Sequence, residues 1–238
     1  MPATDWRSAR IAEVVRETHN AATLVLDVAG WEGHRAGQHV DVRLTADDGY
    51  QAQRSYSIAS APEDGLRITV ERLDDGEVSP WFVDVAQPGD SFDVRGPFGG
   101  WFVWNAGQSN PLLLIAGGSG VVPLMSMLRH RKNAHSHVEA RLLLSARDPS
   151  DVLYANELAT IGAELTFTYT RSAPEGWTGY ARRVDREMLA EVAYAPGRGA
   201  RTYVCGPTSF VETVANHLVS LDYDSATIRT ERFGATGG

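Results

Sequence analysis

The hydrophobic rhythm of this chain changes once, near residues 105–111, and that change limits the possible folds more than any single motif does. Before it, short apolar and β-branched runs at 10–15, 22–28, 39–44, 53–58, 66–73 and 91–94 alternate with breakers such as Asp47-Asp48-Gly49 and Pro88-Gly89-Asp90. Residues 38–44 read Gln-His-Val-Asp-Val-Arg-Leu, the two-residue period of a strand with one wet face. A single helical stretch, 79–86, interrupts the series. Short strands at this spacing predict a small antiparallel barrel or sandwich. After the change, apolar strands at 112–116, 139–145, 165–170, 202–205 and 227–230 are separated by helical patterns near 121–128, 151–161, 185–192 and 209–220. Strands and amphipathic helices in alternation imply βαβ crossovers and a five-stranded parallel sheet covered on both faces. The expectation is therefore two domains, 1–105 and 111–238.

Composition narrows the function classes. With 43% hydrophobic and 22% charged residues in 238, the chain has material for real cores and is not a disordered polymer. It has no apolar run of membrane-spanning length and no signal-like leader, so a cytoplasmic protein is expected. Cys205 is the only cysteine, which forbids an intrachain disulfide, a Cys-rich metal site or a four-cysteine iron–sulfur cluster held by these residues; no metal site is expected. A net charge of −8 argues against a nucleic-acid binder, which needs a basic footprint. Lys132 is the sole lysine among 22 basic residues, so nearly all cations are arginine forks suited to phosphate.

Residues 112–123 read Leu-Leu-Leu-Ile-Ala-Gly-Gly-Ser-Gly-Val-Val-Pro, a buried strand that feeds a glycine turn and then a helix. The first amides of such a helix, with its dipole, form an anion site, and Gly118 and Gly120 leave room for a pyrophosphate. Pro123 suits an early helical position. The second strand of this half ends in Ser145-Ala146-Arg147-Asp148 and the third in Arg171. Ligands of open α/β sheets sit at strand carboxyl ends, so Ser145, Arg147 and Arg171 are candidates for the adenosine end of a dinucleotide. The arginines favour a 2′-phosphate and hence NADPH, while Asp148 opposes it and keeps NADH as the alternative. Cys205-Gly206-Pro207 ends the fourth strand beside the same crevice. In the first half, strand alternation puts Arg54, Tyr56 and Ile58 on one face and Ser55, Ser57 and Ala59 on the other.

Six segments in register resemble the ferredoxin-NADP reductase family of flavoproteins, over nearly the whole chain. Arg54-Ser55-Tyr56-Ser57 is similar to the family's flavin-binding motif. Gly76-Glu77-Val78-Ser79 resembles the segment that opens a helix under the flavin pyrophosphate. Gly96-Pro97-Phe98-Gly99 is similar to the turn that closes the barrel. The glycine loop with Pro123, the Cys205-Gly206-Pro207 segment and Glu231-Arg232-Phe233 complete the set. The resemblance implies a six-stranded antiparallel FAD-binding β-barrel followed by an α/β domain for NAD(P). It implies FAD contacts from Arg54, Ser55, Tyr56, Ser57, Gly76, Val78, Ser79 and Phe233. Arg54 and Ser79 would meet the pyrophosphate, Tyr56 would stack on the isoalloxazine, and Ser57 would bond near its N5 atom. The dinucleotide would touch Gly118, Gly120, Pro123, Ser145, Arg147, Arg171, Gly206 and Pro207. Cys205 would border the nicotinamide, Glu231 would relay a proton and Phe233 would cover the flavin. Because Ala235 to Gly238 follow Phe233, the chain departs from plant-type members that end on an aromatic.

The activity so implied is hydride transfer from NAD(P)H to FAD and single-electron delivery to a separate ferredoxin or cytochrome, by a monomeric enzyme. A diaphorase or flavin/quinone reductase is the alternative, and a non-catalytic binding module is disfavoured because both nucleotide motifs are retained. An acidic ferredoxin would need a basic patch, for instance Arg129, Arg131 and Lys132 or Arg182 and Arg183.

Overall fold

The computed structural model describes residues 5–233; the stretch beyond Phe233, which includes Ala235 to Gly238, lies outside them. The first half forms strands β1 (Arg7–Thr18), β2 (Ala21–Val28), β3 (His39–Thr45), β4 (Gln51–Ser57), β5 (Leu66–Glu71) and β6 (Ser91–Phe98). They form one antiparallel sheet in the order β4-β3-β6-β1-β2-β5. Ile58 bridges Ile68, so the two edge strands meet and the sheet closes on itself. Alternation explains the packing: Val40 and Val42 of β3 are fully buried, with Leu24, Ile68, Val70, Phe82 and Val94 in the same core. The expected antiparallel barrel is present.

Two local readings need correction. Strand β6 runs on to Phe98, which pairs opposite His39, so Gly96 to Phe98 belong to the strand rather than to a turn beyond it. The stretch expected to be helical at 79–86 contains a single π-helical turn, Trp81–Val85, anchored by buried Phe82 and Val83.

The second half contains β7 (Leu112–Gly117), α1 (Val121–Asn133), β8 (Ala140–Ala146), α2 (Ala155–Leu158), β9 (Glu164–Tyr169), α3 (Arg186–Val192), β10 (Arg201–Pro207), α4 (Thr208–Ser220) and β11 (Ile228–Phe233). Its sheet is parallel throughout, in the order β11-β10-β7-β8-β9. Strand β7 is buried along its length, with one core cluster on each face of the sheet. The helix expected at 151–161 shrinks to one turn. Pro149–Asp151 forms a 3-10 turn, and Tyr154 takes a left-handed conformation (φ 57°) just before α2. Among the described residues, no helix is long and apolar enough to cross a membrane.

The two halves share apolar contacts. Ala21, Ala36 and Ala59 of the first half and Trp104 of the connection lie in the same cluster as α1. Polar ties span the seam: Ser126 Oγ donates to Ser60 O at 2.6 Å, and Arg129 reaches Ala59 O at 2.6 Å. Tyr203 Oη donates to Val103 O at 2.8 Å.

Candidate functional site

The carboxyl ends of the parallel strands open into a cavity of about 390 Å³ lined by Gly117 to Ser119, Ser145, Arg147, Pro207 and Phe233, among others. It lies where the chain reverses direction across the sheet: β8 and β9 stack on one side of β7, and β10 and β11 on the other. Both helices that begin here, α1 after Gly120 and α4 after Pro207, start without a side-chain cap and without an acidic residue in the first turn. Their free N–H groups and dipoles leave positive potential at the cavity. Gly118 adopts φ +55° in open space, a conformation that a side chain would strain. A Cβ on Gly120 would lie 2.1 Å from the Cys205 carbonyl oxygen, so this glycine lets the loop touch β10.

Not every expected dinucleotide residue faces this space. Gly118, Ser145, Arg147 and Pro207 line it. Gly120 and Pro123 are buried and shape the loop from behind. Gly206 is also buried, its Cα position packed on Phe210. Arg171 is exposed and does not line the cavity; Arg183 does, along with two residues that the motifs did not single out, Asp151 and Glu71 of β5.

On the barrel, Arg54 is exposed, its guanidinium 3.3 Å from Glu77. Glu77 also accepts from Tyr50 Oη at 2.9 Å. Tyr50, Glu77, Trp81 and Arg43 line a second cavity of about 590 Å³ at the barrel mouth. Tyr56 is half-buried, edge-on to Phe82 at 5.9 Å, and burial pushes its phenol up so that it stays neutral. Ser55 points the other way and donates to Asp41 at 2.6 Å. Ser79 Oγ accepts from Leu73 N at 3.0 Å, beside Gly76, where a Cβ would meet that hydroxyl at 2.7 Å. Val78 is 1% exposed and packs into the barrel core, so its side chain faces away from the surface that carries Arg54.

A further contact across the halves joins two register pairs. Cys205 and Glu231 are register partners across β10 and β11. Ser57 and His39 are register partners across β4 and β3. His39 Nδ1 lies 3.6 Å from Glu231 Oε1 and joins the pairs. Burial pushes the Glu231 carboxyl up to about 7, and its Oε2 is buried with no hydrogen-bond partner among the described residues. Burial also lowers the His39 imidazolium, against a smaller pull from Asp41, so the ring is neutral at pH 7. Burial and the Glu231 charge push the Cys205 thiol up, against a backbone hydrogen bond from Gly206. It is therefore a thiol and not a nucleophile. His39 was missed in the sequence; only its place opposite Ser57, one strand over, could have signalled it.

The fold and the site together define a protein of two nucleotide-binding halves that meet at a polar junction. Residues 8–103 match the family described as "Oxidoreductase FAD-binding domain", and residues 114–216 match the "Oxidoreductase NAD-binding domain". The glycine betaine monooxygenase reductase subunit of Chromohalobacter salexigens is 32% identical over 238 residues, which is 95% of this chain and 64% of that protein. The ferredoxin reductase component of 3-ketosteroid-9-alpha-monooxygenase from Rhodococcus rhodochrous is 27% identical, over 96% of this chain and 65% of its own. The flavohem-like FAD/NAD-binding domain of nitric oxide dioxygenase from Vibrio cholerae superposes with a TM-score of 0.84 at 24% identity, over 96% of this chain and 98% of that one. The chain belongs to the ferredoxin-NADP reductase family of oxidoreductases, with FAD and a nicotinamide dinucleotide as its cofactors. It spans 64% of the length of the first curated relatives it matches.

Proposed function

We propose that this chain takes a hydride from NAD(P)H onto FAD and passes single electrons to an iron–sulfur protein or cytochrome centre outside these 238 residues. The observation that carries the reading is the junction itself. Cys205 and Glu231 come from the dinucleotide half, Ser57 and His39 from the barrel, and Glu231 brings a buried oxygen that has no hydrogen-bond partner among the described residues. A bound flavin supplies the conversion of a two-electron hydride donor into one-electron delivery.

The chain's own residues fit that group. Arg54 neutralises pyrophosphate once it leaves Glu77, and the cavity with Tyr50 and Trp81 takes the nucleotide tail. Tyr56 offers a neutral aromatic face, Ser57 a hydroxyl at the reacting edge, and Glu231 holds or releases a proton there near neutral pH. The uncapped starts of α1 and α4 would hold the dinucleotide phosphates, and Phe233 at the cavity wall would shield the flavin edge and swing aside for nicotinamide. Positioning supplies most of the rate, since hydride transfer needs stacked rings rather than acid–base work. The division proposed is a flavin unit to about residue 105 and a nicotinamide unit from 111, in a cytoplasmic monomer.

The names of the relatives support an oxygenase system as the consumer of the electrons. The basic patches expected for docking are largely occupied. Arg129 is bound to Glu157 at 2.9 Å, Arg131 to Val138 O and Gly162 O, and Arg182 to Asp185. The deciding experiment reconstitutes the protein with FAD, reduces it anaerobically with NADPH or NADH, and compares electron transfer to a [2Fe-2S] ferredoxin, a cytochrome, free flavin and a quinone. Faster reduction of the protein acceptors is expected. A preference for free flavin or quinone establishes a diaphorase, and a colourless protein that cannot take up FAD overturns the reading.

A further inference from the structure

The dinucleotide cavity contains one acid that does not come from the dinucleotide half. Glu71 is the last residue of β5 in the barrel, yet it lines this cavity, and its Oε1 accepts from Arg147 Nη2 at 3.1 Å. Arg147 is held from the other side too, its Nε 3.5 Å from Asp151 four residues on. The cation at the end of β8 thus sits between two carboxylates, one from each half of the molecule. Asp148, the acid next in sequence, accepts instead from the amide and hydroxyl of Ser150. The remaining charged group on the cavity wall is Arg183.

The position of Glu71 is fixed. Thr69, two residues earlier on β5, is hydrogen-bonded to Tyr154 Oη from the second half and to Thr23 Oγ1 at 2.7 Å. Tyr154 is buried and lies under the Arg129 guanidinium at 4.6 Å. Strand β5 is therefore pinned across the seam at the point where Glu71 extends toward Arg147. Glu71 is 23% exposed and Arg147 is 49% exposed, so the pair is open to a ligand arriving from solvent.

We infer that Glu71 is a specificity-determining residue that restrains the grip of Arg147 on a 2′-phosphate and so keeps NADH competitive with NADPH. The inference rests on the reading of this cavity as the dinucleotide site. A 2′-phosphate is a dianion that pairs best with an unshared guanidinium fork. Here it must displace Glu71 or approach within a few ångströms of its charge. A ribose hydroxyl carries no charge and meets no such opposition.

The test measures binding of adenosine 2′,5′-bisphosphate and of AMP by titration calorimetry, to the FAD-loaded parent, Glu71→Gln and Glu71→Asp. Glu71→Gln is expected to raise the bisphosphate-to-AMP affinity ratio about tenfold, the size of one charge-assisted contact. Glu71→Asp, which keeps the charge, is expected to hold the ratio near the parent value. Steady-state KM values for NADPH and NADH should move in the same sense. A ratio unchanged in Glu71→Gln, or both affinities falling together, overturns the inference and leaves Glu71 as a tie between the halves. If neither nucleotide binds the parent, the dinucleotide reading falls and the inference with it.

Discussion

Glu231 is the buried carboxyl of the junction, and its protonation couples the site to pH. Its ordinary value of 4.5 is raised to about 7 by burial, so the folded protein holds a proton there that the unfolded chain gives up. The linkage has a definite sign: this group favours the folded state below about pH 4.5, and that contribution is lost as pH rises through about 7. Glu231→Gln removes this slope. Its Tm relative to the parent should therefore be higher at pH 8 than at pH 5, read by thermal melts at both values. In turnover, the same substitution should abolish a rate transition near neutral pH, read from a pH profile of reduction by NADPH. Cys205 belongs to this scale as well. With 1% exposure and a thiol pushed up by burial, it should react with a disulfide reagent only in denaturant; rapid modification of the native protein would contradict its placement. For Arg147, replacement by alanine should weaken adenosine 2′,5′-bisphosphate more than AMP, since its fork is the cation at the end of β8.

At the scale of elements, the glycine loop and β10 depend on each other. Gly120→Ala would push a methyl against the Cys205 carbonyl at 2.1 Å, where backbone must move. A loss of about 1–3 kcal/mol is expected from such overpacking, with a raised KM for the dinucleotide because the α1 start shifts. Calorimetry and steady-state kinetics check the two halves of that statement. The elements were mostly legible because each carries a local period: the alternation in β3 and the unbroken apolar run of β7 announce one-sided and two-sided burial respectively. Helix α2 was overestimated because Tyr154 breaks it by taking a left-handed backbone, which no apolar period reports. Candidate residues within motifs, such as Arg54 and Cys205, could be named from the chain alone. His39 and Glu71 could not, because each acquires its role from a partner 192 or 76 positions away. The core-facing side chain of Val78 was likewise not announced by its place in a motif.

At the scale of the whole molecule, the two halves are bound through apolar packing reinforced by Arg129. That guanidinium ties Glu157 to the Ala59 carbonyl and lies over Tyr154, with 14% of its side chain exposed. Burial opposes its charge, but Glu157 and Tyr154 more than compensate, and it stays protonated. Arg129→Ala leaves those partners unsatisfied and should cost about 1–3 kcal/mol, seen as an earlier and broader melt. Trp104 is the apolar counterpart, 1% exposed, with its amide bonded to Ala36 O at 3.1 Å. Because Ala21, Ala36 and Ala59 share a core with Trp104 and α1, the seam is shaped by small side chains on one wall and large ones on the other. Such a seam restricts recombination. A chimera joining this barrel to a foreign dinucleotide half would bring Phe102 and Trp104 against surfaces never fitted to them. Inheritance of the two halves as a single block is the consequence.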